Sequence, residues 1–260
     1  MFARVLTTEF LKLRRSKVTG LTLLAFSLAP LGGGLFMWIV REPGRAAKLG
    51  LLGTKANFAG LEATWPAFFG MLTQAVGIGG MLLLAVIAAY LFGREYSEKT
   101  AKNMLALPVG RHWFVVAKLA VSFVWFAAIT AFCLTEAMAV GAALNLPGLT
   151  GAIAVRGFND VLLAAALSFL LTPVTAWIAT LGKGYLPPLG FAIVMLILGN
   201  ILGATGWGKW FPWSIVPLFA GAAGPRTESL AAGSVIVVFL TFAAGLAATI
   251  IQLKRADNAQ

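Results

Sequence analysis

Between two apolar stretches of this chain lies a run with side chains that could do chemistry: Phe92–Leu119, reading FGREYSEKTAKNMLALPVGRHWFVVAKL. Arg94, Glu95, Glu98, Lys99, Lys102, Arg111 and Lys118 make it too charged to enter a bilayer. Charges of both signs followed by Met104, Leu105 and Leu107 predict a short amphipathic helix, ended by Pro108 and Gly110. Such a helix reads as a contact surface on the cytoplasmic side. No Ser/His/Asp set and no paired carboxylates on the loops suggest an active site of the chain's own.

The other reactive side chains stand alone. Cys133 is the single cysteine and His112 the single histidine, so neither a disulfide nor a metal site is expected. Gly203–Trp210, GATGWGKW, fits the G-x-x-x-x-G-K part of a phosphate-binding loop. Trp210 stands where a Ser or Thr would bind magnesium, however, and no strand precedes the run. The chain is not expected to hold ATP or any other cofactor itself.

The elements that must position these residues follow from composition. With 60% hydrophobic and 11% charged residues, the chain has too little polar surface to coat a water-soluble globule. A hydrocarbon core of about 30 Å needs about 20 apolar residues in a helix. Six runs meet that length: Val18–Val40, Phe68–Gly93, Trp113–Leu144, Phe158–Leu181, Tyr185–Gly206 and Leu230–Leu253. Strand-type alternation is absent, so the expected fold is an all-α, polytopic membrane bundle.

Lysine and arginine set the orientation. With the N-terminus inside, 13 of the 20 basic residues fall on the cytoplasmic side with only Glu9, Glu95, Glu98 and Asp257 against them. The net charge of +11 is explained by this asymmetry and by anionic headgroups, and nucleic-acid binding is rejected.

Before the first run, Phe2, Val5, Leu6, Glu9, Phe10 and Leu13 recur at helical spacing opposite a basic face. This predicts an amphipathic helix in the inner interface, either as an anchor or as part of a docking surface. It is not expected to be a cleaved signal, because the apolar run after it is longer than the roughly 7–15 residues of a signal core.

At these residues the sequence resembles the type-2 ABC exporter permeases. Their loop between the second and third helices carries a pattern like R-E-x-x-x-G-T-x-x-x-L-L-x-x-P-x-x-R followed by a Lys. Arg94, Glu95, Thr100, Met104, Leu105, Pro108, Arg111 and Lys118 match it, and Lys99 occupies the usual glycine position. EFLKLRRSK at Glu9–Lys17 and KNMLALPVGR at Lys102–Arg111 look like the bacitracin-resistance branch. WGKWFPWSIVP at Trp207–Pro217 falls where that family has short re-entrant helices on the outer side.

The resemblance implies one permease domain over residues 1–260, with an interfacial helix at 1–17, a cytoplasmic coupling loop at 94–112 and an outer re-entrant segment at 207–229. It also implies a second permease copy, most simply as a homodimer. Two separate ATP-binding cassette subunits would carry Mg-ATP, and the assembly would sit in a bacterial inner membrane with both termini cytoplasmic. Glu95, Glu98, Lys99, Thr100, Lys102, Asn103 and Arg111 would touch the ATPase.

Polar residues within spans are costly and mark candidate pathways. Gln74, Glu136 and Asn200 lie at similar depth toward the outer side, though Gln74 and Asn200 could equally bond neighbouring helices or free carbonyls. Glycines cluster at Gly32, Gly33 and Gly34 and at Gly70, Gly77, Gly79 and Gly80, which reads as close helix packing. The expected function is outward transport of an amphipathic molecule such as a peptide antibiotic, drug or lipid. The alternative is a membrane immunity or sensor protein that binds a peptide or lipid without moving it.

Overall fold

The computed structural model describes residues 2–51, 61–100, 109–223 and 231–257, and every regular element among them is helical. The elements are α1 (Phe2–Arg14), α2 (Lys17–Arg41), α3 (Pro43–Lys48), α4 (Trp65–Ser97), α5 (Arg111–Ala143), α6 (Gly151–Leu181), α7 (Leu186–Gly203), α8 (Pro212–Ala220) and α9 (Ala232–Asp257). Six of them, α2, α4, α5, α6, α7 and α9, are long and apolar enough to cross a membrane. The protein is an all-α, multi-pass integral membrane protein.

Burial separates the bundle into a centre and a rim. The apolar windows of α4, α5 and α6 are 67%, 61% and 56% buried, whereas those of α2, α7 and α9 are 33%, 28% and 22% buried. The central spans therefore supply the core, in which Trp65, Phe68, Phe69 and Leu72 of α4 pack with Phe126 and Ile129 of α5 and Val161 of α6. Two of the cluster's glycines permit this closeness: a Cβ on Gly80 would sit 2.8 Å from the Phe126 ring, and one on Gly77 would sit 3.0 Å from Val216. Gly32 and Gly70, by contrast, face open space.

Two spans start well before their sequence-based limits, while α7 is shorter than its expected run at both ends. α4 begins at Trp65 instead of Phe68, and α6 begins at Gly151, carrying Arg156 and Asp160 as helical residues. The 33 residues of α5 make a rod about 50 Å long, so it projects past the hydrocarbon core. α6 breaks at Leu171, two residues before Pro173, as a proline without an N–H to give requires.

α4 is continuous but contains two π-helical turns, at Ala75–Gly79 and Ala89–Gly93. In the first, the Gly77 carbonyl accepts a 2.9 Å hydrogen bond from Ser168 of α6, satisfying a backbone group deep in the bundle. The second leads into the polar run, sharing Phe92 and Gly93 with it.

α1 is amphipathic as its spacing predicts, and its apolar stripe packs along α5. Leu13 is buried, Leu6 and Phe10 pack against the core, and the Phe2 ring lies 5.0 Å from that of Trp113. Ser16 then turns the chain into α2, its hydroxyl accepting a 3.0 Å hydrogen bond from the Val18 N–H.

Candidate functional site

Glu9 shares the inward stripe of α1 with leucines and phenylalanines, and the structure shows what it meets there. The Lys118 ammonium, on the first turns of α5, donates to Glu9 Oε2 at 3.1 Å, to Glu95 Oε1 at 2.9 Å and to the Leu91 carbonyl at 2.6 Å. All three ammonium protons are thereby used. Lys12 completes the group, reaching Glu9 Oε1 at 2.7 Å and Glu95 Oε1 at 3.2 Å. Two carboxylates and two ammoniums cancel, so the junction is neutral as a whole.

Burial makes this cluster structural and not a surface ornament. The side chains of Glu9 and Lys118 are each 3% exposed and that of Glu95 is 10% exposed, while Lys12 forms the lid at 41%. Burial pushes the Glu9 carboxyl upward, but the Lys118 and Lys12 ammoniums outweigh it and hold Glu9 below the ordinary carboxylate range. Burial lowers the Lys12 ammonium, and attraction to Glu9 and then Glu95 more than reverses this, leaving it above the ordinary lysine range. The cluster fastens α1, the base of α4 and the start of α5 to one another.

Beyond the junction, α4 ends in a tight cap. The Thr100 N–H donates to the Glu95 carbonyl at 2.9 Å and the Lys99 N–H to the Tyr96 carbonyl at 3.1 Å, the paired bonds of a Schellman motif. The motif needs a left-handed residue after the helix, and Lys99 takes it with φ +57°. This is the position where the resemblance expects glycine. The backbone keeps the glycine conformation although the side chain has changed, and Lys99 marks a helix end.

Residues 5–199 match the family described as ABC-2 family transporter protein. The chain is also 34% identical, over 179 residues, to the bacitracin transport permease protein BCRB of Bacillus licheniformis, covering 68% of this chain and 85% of that one. This chain belongs to the ABC-2 transporter family. It is therefore the membrane subunit of an ABC transporter, and its six spans form the permease.

Within this ABC-2 permease the residues singled out in the loop separate into groups. Glu95 is turned into the junction, where its carboxylate serves the chain's own packing. Glu98 is exposed and paired with Arg94 at 2.8 Å; Lys99 and Thr100 form the cap. Arg111 opens α5. Lys102 and Asn103, with the amphipathic helix expected around them, lie outside the described residues.

No hydrogen bond joins the three in-span polar residues to one another. Gln74 Nε2 reaches the Gly221 carbonyl beyond α8 at 3.5 Å, and Asn200 Nδ2 donates to the Leu196 carbonyl of its own helix at 2.9 Å. Glu136 is half-buried, and its Oε2 is buried without a hydrogen-bond partner. The phosphate-loop lookalike is a packing corner: a Cβ on Gly208 would meet Gly203 Cα at 2.8 Å and the Leu202 carbonyl at 2.9 Å. Those glycines let α7 turn into α8.

Glu9, Lys12 and Lys118 form a group that local sequence pattern does not assemble. The available signal was Glu9 itself, a charge at an apolar position of an amphipathic helix, which demands a buried partner. Its partner lies 109 residues away, a separation that no local pattern spans.

Proposed function

We propose that this permease is half of an exporter that couples ATP hydrolysis by two separate cassette subunits to outward movement of an amphipathic substrate. Two copies of the chain form the pathway, in a bacterial inner membrane with both termini in the cytoplasm. Enzymatic chemistry resides in the partner subunits, which carry Mg-ATP. The basic face bearing α1 and residues 94–112 is the side on which they dock.

The observation that carries this reading is the junction. A loop transmits motion only when its base is stiff. Here α4 enters the loop through a capped helix end, and ion pairs fix that end to α1 and α5. Glu98, Lys99, Thr100, Lys102, Asn103 and Arg111 would form the contact, with Glu95 supporting it from behind. Export of a peptide antibiotic is the first substrate to assay, because the Bacillus relative is named as a bacitracin transport permease.

Copurification from the native membrane tests the assembly: a stable partner with ATPase activity, stimulated in proteoliposomes by substrate, is the expected result. Full protection against the substrate in cells lacking every cassette ATPase would overturn it in favour of a binding or immunity protein. Glu136 is the remaining pathway candidate, and Glu136→Gln is expected to slow export without preventing insertion.

A further inference from the structure

We propose that a cleft beside the junction binds the phosphate of an anionic phospholipid headgroup. The cleft, of about 450 Å³, lies where the end of α1, the base of α4 and the start of α7 meet. That volume suits a small ligand or headgroup. It is formed by Lys12, Arg15 and Arg94 with the hydroxyls of Ser16, Tyr90 and Tyr185.

The lining is a set of donors. Its one carboxylate, Glu98, is already engaged by Arg94 Nε at 2.8 Å, and Lys12 is balanced by Glu9 and Glu95, so the lining carries one uncompensated positive charge, that of Arg15. Arg94 Nη1 donates to the Tyr90 hydroxyl at 2.6 Å, which leaves the Tyr90 proton to donate onward. The Ser16 oxygen likewise accepts from the Val18 N–H, leaving its own proton available. Arg15 forms no ion pair among the described residues, and its guanidinium offers a planar fork to an oxyanion.

Position selects a lipid over a soluble phosphate. Arg15 and Ser16 immediately precede α2, and Tyr185 immediately precedes α7, so the cleft lies at the level where spans leave the apolar layer. Apolar surface begins directly beyond: Leu186 is 80% exposed, and Leu21 and Leu24 of α2 are 65% and 68% exposed. A headgroup in the cleft would thus lie next to surfaces suited to acyl chains. The proposal concerns a resident lipid and stands apart from the identity of the transported molecule.

Native mass spectrometry of the permease from nanodiscs of phosphatidylcholine with and without phosphatidylglycerol tests it, with Arg15→Gln/Arg94→Gln as the variant and Lys48→Gln, in α3, as control. Wild type and control are expected to retain phosphatidylglycerol in preference to phosphatidylcholine, and the double variant to lose that preference about tenfold or more. Inorganic phosphate is expected not to displace it. Equal retention by wild type and double variant would overturn the proposal, as would displacement by inorganic phosphate with no preference among lipids, which marks a site for soluble phosphate. Because Arg94 also contacts Tyr90 and Glu98, Arg15→Gln alone, at an exposed position, must lower retention in the same direction.

Discussion

Lys118 Nζ lies 2.9 Å from Glu95 Oε1, joining the start of α5 to the base of α4 across the loop that separates them in sequence. The same ammonium holds Glu9 of α1, so a single positive charge organises three helices. Removing one partner of a buried pair strands the others, at a cost of about 3–5 kcal/mol. Lys118→Met should therefore lower the thermal unfolding temperature of the purified permease substantially. Adding Glu95→Gln, which removes one stranded carboxylate, should recover part of that loss; a further drop instead would show that charge balance is not what the cluster supplies.

The junction also predicts a pH profile. Glu9 is held below its ordinary value of 4.5, so its contribution is present above that pH and is lost as pH falls through its folded value. Lys12 is held above its ordinary 10.5, so its contribution is present below that pH and is lost as pH rises through its folded value. The contribution of these two groups to the unfolding temperature measured in detergent should accordingly be constant between those limits. Glu9→Gln should flatten the acid side and, because Glu9 is the main group raising Lys12, should weaken the alkaline side as well.

Lys99 occupies a left-handed turn that glycine adopts without steric cost. Lys99→Gly removes a conformational penalty of about 1–2 kcal/mol and regains some unfolded-state freedom, for a net gain of about 0.5 kcal/mol. Amide exchange at Thr100, whose N–H closes the cap, should slow in Lys99→Gly. Lys99→Val, β-branched at the same backbone angle, should speed it.

Glu98→Lys separates coupling from folding. The side chain is 46% exposed and its pair with Arg94 is a surface i,i+4 contact, so stability should change by no more than about 0.5 kcal/mol. Transport and ATPase stimulation should both fall. Normal values for both would remove Glu98 from the proposed contact.

The bundle was legible because a bilayer imposes a length on every helix, and each of the six apolar runs declares that length in residue type alone. The stripe of α1 was legible for the same reason, since Leu6, Phe10 and Leu13 fall on one face. The π turns of α4 had no such signal: Ala75–Gly79 and Ala89–Gly93 read as ordinary apolar helix. The junction was half legible. Glu9 announces a missing partner, but Lys118 becomes that partner only when α1 lies along α5. Lys99 departs from the family pattern in sequence, yet the chain has kept the backbone angle and changed only the residue that bears it.

Each π turn in α4 lodges one surplus residue in the helix. At about 100° per residue, the side chains on the far side of Ala75–Gly79 are rotated by that amount from where an unbroken α-helix would set them. Excising one residue there would give a more regular helix and a misassembled protein. With the base held by Glu95, Trp65 and Phe69 would swing out of the core; with the top held, Glu95 would turn away from Lys118. The length of α4 is thus as much a part of its packing as its side chains are.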